Sequence, residues 1–216
     1  MKSTIKEQRL AHIIDSAEEV FFEKGFSKTS ISDICKVASC SRTTLYSYFE
    51  NKENIYLAVV NKSFQQFLKH FFDLKISSGT GLQRILALAQ GYLDFSKQSP
   101  KEYQMVLDFY TILKNSQDKV LQSESYALLQ KCTYFTIVQE NAQLPLQQMI
   151  HVIEYGQKDG SIRNNTAAES LFFNIWAYLI GVTNLSNNRN TIRILGVQMQ
   201  DWEDNTLLTI EQLLSK

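Results

Sequence analysis

Apolar residues recur at helical spacing along almost the whole chain, and the breaks between them carry helix-capping residues. Leu10, Ile13, Ile14, Ala17, Val20 and Phe21 form one stripe, which predicts a first helix over about 4–24 that Gly25 ends. A second helix is predicted over about 31–38, with Ile31, Ile34 and Val37 turned inward. A third follows over about 42–48, with Leu45 and Phe49 inward. The fourth runs from about 51 to 76. Its apolar positions, from Ile55 and Tyr56 to Phe71 and Phe72, repeat nearly every four residues. At roughly 100° per residue, each such step drifts by about 40°. The buried face therefore rotates along the helix, as a connector between two bodies requires. Further helices are predicted over about 82–97, 100–114, 117–140, 145–158, 167–185 and 202–214. No run alternates as a strand does, and Asp159-Gly160 reads as a helix stop. The expected class is all-α.

The segment at 29–53, TSISDICKVASCSRTTLYSYFENKE, is the most informative. Ser30 with Asp33 has the spacing of an N-terminal cap, and Ser41 stands where it can cap the third helix. Arg42, Thr43, Tyr46 and Ser47 share the face opposite Leu45 and Phe49. A short helix that exposes a guanidinium, hydroxyls and a phenol, braced by a second helix, suits a DNA major groove. Arg42 can reach guanine O6 and N7 or a phosphate, and Thr43 or Thr44 can set a methyl against thymine. Tyr46 and Tyr48 can donate to phosphate oxygens, and Lys52 is a further phosphate candidate.

Composition changes this picture in two respects. The 216 residues are 44% hydrophobic, enough for real cores, and only two prolines and eight glycines argue against a turn-rich β chain. Net charge is zero, with nine Lys/Arg against eight Asp/Glu in residues 1–62. Any attraction for DNA must then come from placement of charge, since the sum supplies none. Cys35, Cys40 and Cys132 have no metal-ligand spacing, and no secretory leader precedes them, so a reduced, cytoplasmic setting is expected. The richest apolar run, Leu171 to Val182, is too short to cross a membrane and contains Asn174.

In order and spacing, the pieces FFEKGFSKTSISDICKVA and SRTTLYSYFENKENIYLAV resemble the N-terminal domain of TetR (tetracycline-repressor) regulators over about Gln8 to Val60. The resemblance implies a three-helix helix-turn-helix domain, joined by a long connector helix to a C-terminal helical ligand-binding and dimerisation domain. The division falls at 1–51 and 52–216, with the helix-turn-helix at about 30–49 and the family-type domain at about 6–66. It implies double-stranded DNA carrying an inverted repeat as a partner, contacted by Ser30, Arg42, Thr43, Tyr46, Ser47, Tyr48 and Lys52. It also implies a homodimer and a small-molecule effector that releases a repressor. Three positions depart from the family habit: Ser39 and Thr43 stand where Gly is frequent, and Tyr48 where His is. Ser39 must then take a left-handed backbone without glycine's freedom.

The C-terminal part resembles the regulatory domains of the same family more loosely. Tyr92, Phe95, Tyr103, Phe109, Tyr126, Phe135 and Trp176 are candidates to line a cavity for an apolar or aromatic effector, although aromatic stripes at this spacing more often form plain core. Leu171, Phe172, Ile175 and Leu179, with Leu207, Ile210 and Leu214, are candidates for a two-fold helical interface; the competing reading is that they close the chain's own core. No cofactor, metal site or catalytic constellation is expected. His12, His70 and His151 are scattered, and neither a nucleophile elbow nor a phosphate-binding glycine loop occurs. The alternative function is a helical carrier of small molecules without operator binding.

Overall fold

A computed structural model describes residues 5–73, 78–117, 124–187 and 199–215, with side chains except at 112–117, 124–126, 187 and 199–204. Every regular element among the described residues is a helix. In chain order they are α1 (Ile5–Lys28), α2 (Ile31–Val37), α3 (Arg42–Tyr46), α4 (Lys52–Asp73), α5 (Gly81–Gln98), α6 (Pro100–Gln117), α7 (Glu124–Gln130), α8 (Thr133–Asp159), α9 (Ala168–Asn187) and α10 (Met199–Leu214).

Residues 1–66 with 101–142 form one compact unit, and residues 67–100 with 143–216 form a second. In the first, Ile13, Ala17, Ile34, Leu45 and Phe49 are buried as the apolar stripes predict. Gly25 interrupts α1 with φ 74° and ψ 163°, a conformation natural to glycine, and one more turn runs on to Lys28. Val37, expected inward, is 38% exposed, because α2 ends at Val37 and Ala38 takes the buried place. Phe64 meets Phe109 and Tyr110 edge-on, and Phe109 packs on Phe135. In the second unit, Phe67 packs on Phe71, Tyr92 and Phe95. There α5, α9 and α10 pack on one another.

Two sequence expectations change. Residues 133–159 form one helix, not two helices that part before Pro145, and the predicted helix over 117–140 is replaced by α7 and the start of α8. Residues 118–123 lie outside the described ones. Pro145 lacks the N–H that would reach the Asn141 carbonyl, a loss that costs about 3 kcal/mol in a helix interior. One turn away, the Tyr110 hydroxyl donates to the Ala142 carbonyl at 2.8 Å, giving that carbonyl an acceptor role independent of the helix ladder.

The second change concerns α9 and α10. Leu171, Phe172, Ile175, Leu179, Ile210 and Leu214 are each 1% exposed or less, and Leu207 is half-buried. All of them except Leu207 are covered within their own chain. The helix faces left open carry Phe173, Leu185 and Leu208 instead.

Candidate nucleic-acid interface

The third helix is short, and both ends are fixed by its own side chains. Ser41 caps it by accepting from the Thr44 N–H at 3.0 Å, and its hydroxyl also meets Thr44 Oγ1 at 2.9 Å. The Ser47 hydroxyl donates back to the Thr44 carbonyl at 2.6 Å. Leu45, fully buried, and Phe49 anchor the inner side. Opposite them Arg42, Thr43, Tyr46 and Ser47 are exposed, Tyr46 by 50%, while Thr44 and Tyr48 are half-buried.

The turn before this helix is a Schellman closure of α2. The Cys40 N–H reaches the Cys35 carbonyl at 3.0 Å, and the Ser39 N–H points at Lys36 at 3.4 Å. Ser39 sits at φ 47°, the one left-handed non-glycine among the described residues. The same closure brings Cys35 and Cys40 side by side. Burial first, and then the neighbouring Cys40, push the Cys35 thiol up, which keeps it protonated. Among the described residues no three His, Cys, Asp or Glu side chains are grouped to hold a metal ion.

Helix α2 opens with a reciprocal cap. The Ser30 hydroxyl accepts from the Asp33 N–H at 3.2 Å, and Asp33 Oδ2 accepts from the Ser30 N–H at 2.9 Å. Lys24 donates to the other Asp33 oxygen at 2.8 Å. Together Lys24 and Ser30 hold the Asp33 carboxyl far below the usual carboxylate range. The cap therefore engages both the hydroxyl and the N–H of Ser30.

Placement of the cations was not legible in the sequence. The Lys52 ammonium donates to the Phe26 carbonyl at 3.1 Å and the Thr29 carbonyl at 3.2 Å, and lies 4.3 Å from the Phe26 ring centre. It ties the last turn of α1 to α4. Arg42 donates one of its N–H groups to the Ser32 hydroxyl, bracing α3 against α2. Lys62 pairs with Asp15 and Glu18. Lys28, just before α2, and Lys36, in the last turn of α2, are exposed, and neither forms an ion pair with a described residue. Sequence reading passed over them because each lies outside the recognition helix.

The end of the helix-turn-helix and the first part of α4 are also tied to the start of α8. Thr133 donates to Glu50 at 2.7 Å, the Tyr134 N–H to Asn54 at 3.2 Å, and Asn141 to Asn61 at 2.8 Å, while Tyr134 stacks on Phe49 at 6.2 Å. Spacing alone could not reveal these links, since each spans about 80 residues of sequence.

Residues 13–59 match the sequence profile of the bacterial regulatory proteins of the tetR family. Over these residues the chain is similar to the DNA-binding domain of TetR-family regulators. The matched stretch spans the helix-turn-helix and the opening of α4. Among similar proteins, the HTH-type transcriptional activator FasR of Mycolicibacterium smegmatis is 22% identical over 103 residues, 48% of this chain and 47% of FasR. The negative regulator IcaR of the Staphylococcus epidermidis biofilm operon icaADBC is 39% identical over 56 residues, 26% of this chain and 30% of IcaR. The chain thus spans less than half the length of these relatives. GusR of Salmonella enterica shares the fold over the full length of both chains, with a TM-score of 0.69 at 19% identity.

The cavity candidates divide between the two units. Tyr103, Phe109 and Phe135 are buried in the first, while Tyr92 and Phe95 are buried in the second. Trp176 is half-buried in the second, stacked on Phe172 at 5.7 Å. The Tyr126 side chain lies outside the described residues. A described cleft, of about 220 Å³, has other walls: Phe21, Phe22, Gly25, Phe26, Tyr56, Lys101, Gln104, Met105 and Asp108. Among the described residues no helix is long and apolar enough to cross a membrane.

Proposed function

We propose that the chain is a sequence-specific DNA-binding transcription regulator, a homodimeric repressor released from an inverted-repeat operator by a small molecule. The observation that carries this reading is the outward face of α3. Arg42, Thr43, Tyr46 and Ser47 are exposed together on a helix whose other side is locked by Leu45 and Phe49. Arg42 spends one of its five donors on Ser32, so the fork keeps others for guanine or phosphate. Thr44, Ser41 and Tyr48 flank this face, and Lys28 and Lys36 take the phosphate role first assigned to Lys52. Functionally, residues 1–51 are the reading head and 52–216 the regulatory part, which supplies packing partners to the head.

Two heads are needed because one short helix reads a single half-site. The exposed Phe173, Leu185 and Leu208 are the surface for pairing two copies. Release follows from a population shift: the effector favours a conformation in which the heads no longer match the half-site spacing. The Thr133–Glu50 bond and the stacking of Tyr134 on Phe49 give that change a second route to the head beside α4. The protein works in the cytoplasm, where its DNA partner is.

The internal pairing of Lys24, Lys52 and Lys62 favours one competing reading, a carrier that binds a ligand and no DNA. Nuclease protection of the DNA flanking the protein's own gene separates the two. A regulator protects an inverted repeat there, and Arg42→Ala weakens protection by about tenfold or more, given roughly 1–3 kcal/mol for one specific base contact. A carrier protects nothing at any concentration.

A further inference from the structure

Lys101, Gln104, Met105 and Asp108 stand at positions i, i+3, i+4 and i+7 of α6, so they share one helix face, and all four line the cleft described above. The facing wall is aromatic. Phe21 and Phe26 stack at 6.1 Å, and Tyr56 meets them edge-on at 5.4 and 5.0 Å. Gly25 opens this wall: a methyl group built there would meet nothing within 4 Å. The two ends of the cleft carry opposite charge. The Lys101 ammonium lies 5.4 Å from the Phe22 ring centre. Asp108 is held in place by the Gln104 amide, which donates to one of its oxygens at 2.8 Å.

Seven residues of helix set the Lys101 and Asp108 backbone positions roughly 10 Å apart along the axis, and the two side chains form no ion pair with each other. A bridging molecule would need an anion at one end, a hydrogen-bond donor at the other and a flat apolar body between. The volume of about 220 Å³ is ample for a single ring lying between the two charges.

We propose that this cleft binds a single-ring aromatic carboxylate bearing a hydroxyl or amino group para to the acid. The carboxylate pairs with Lys101, the ring lies against Phe21, Phe26 and Tyr56, and the para donor reaches Asp108. Such an occupant bridges α1 and α6. This binding claim does not depend on the DNA reading, and its test contains no DNA.

The probes are 4-hydroxybenzoate, 4-aminobenzoate and unsubstituted benzoate, titrated into the full chain by calorimetry. The expected result is saturable binding of both para-substituted acids, with benzoate at least tenfold weaker. Lys101→Met should weaken every probe at least tenfold. Asp108→Asn should weaken only the para-substituted acids, bringing them close to benzoate. Met105→Trp, which fills the cleft, should abolish binding while the melting temperature confirms folding. Absence of binding by either para-substituted acid overturns the proposal, as does binding that survives Lys101→Met and Met105→Trp.

Discussion

Replacing Lys52 with Met keeps the aliphatic stem and removes the ammonium. Three contacts go with it: the bonds to the Phe26 and Thr29 carbonyls, at 3.1 and 3.2 Å, and the ring contact at 4.3 Å. A hydrogen bond to a charged group contributes about 1.5–3 kcal/mol, and an exposed cation–π contact about 0.5–1 kcal/mol. Lys52 is only half-buried and water can replace it on the freed carbonyls, so the expected total is about 2–3 kcal/mol. For a chain of this size that lowers Tm by roughly 4–12 °C, read by circular dichroism. The DNA readout separates a brace from a phosphate contact. Losing one phosphate contact reduces the slope of log K against log salt by about 0.9. A brace leaves that slope unchanged in the folded protein, whereas Lys28→Gln and Lys36→Gln each reduce it without moving Tm. An unchanged Tm together with a shallower slope for Lys52→Met would refute the brace.

Three further outcomes follow from the same geometry. Gly81→Ala would place a Cβ 2.1 Å from the Gly156 Cα and 2.4 Å from its N, backbone atoms that cannot turn aside; urea unfolding should show a loss of about 3 kcal/mol, and a loss under 1 kcal/mol would contradict the close approach. Leu45→Ala should cost about 2–5 kcal/mol and loosen α3, seen as faster amide exchange at Tyr46 and Ser47. The Asp33 carboxyl titrates lower in the folded head than in the unfolded chain, so its stabilisation is complete above the ordinary carboxylate range and disappears as pH falls through and below it. Melting curves of the native protein and Asp33→Asn should therefore differ at pH 7 and converge at low pH, and a constant gap down to pH 2 would rule out this linkage.

Local features of the fold could be read from the sequence, whereas long-range ones could not. Ser30 and Ser41 cap their helices because the cap is written in residues three apart, and Leu45 with Phe49 marks the inner side of α3 by the same local logic. Ser39 takes its left-handed backbone because the α2 turn demands one whatever residue stands there. The internal partners of Lys52 could not be read, because they lie 23 and 26 residues earlier, on a turn whose path depends on the break at Gly25. The band on α9 was equally ambiguous. Periodicity shows that Leu171, Ile175 and Leu179 seek cover, but not that α5 and α10 of the same chain provide it. In α8, Pro145 looks like a boundary, while tertiary packing carries the helix through it.

The central claim is that the exposed face of α3 reads DNA sequence. Selection from a pool of random duplexes tests it without knowledge of the effector or the regulated gene. The predicted result is enrichment of one inverted repeat, abolished when Arg42→Ala and Tyr46→Phe are combined. A pool that stays random after repeated rounds with folded protein would contradict it.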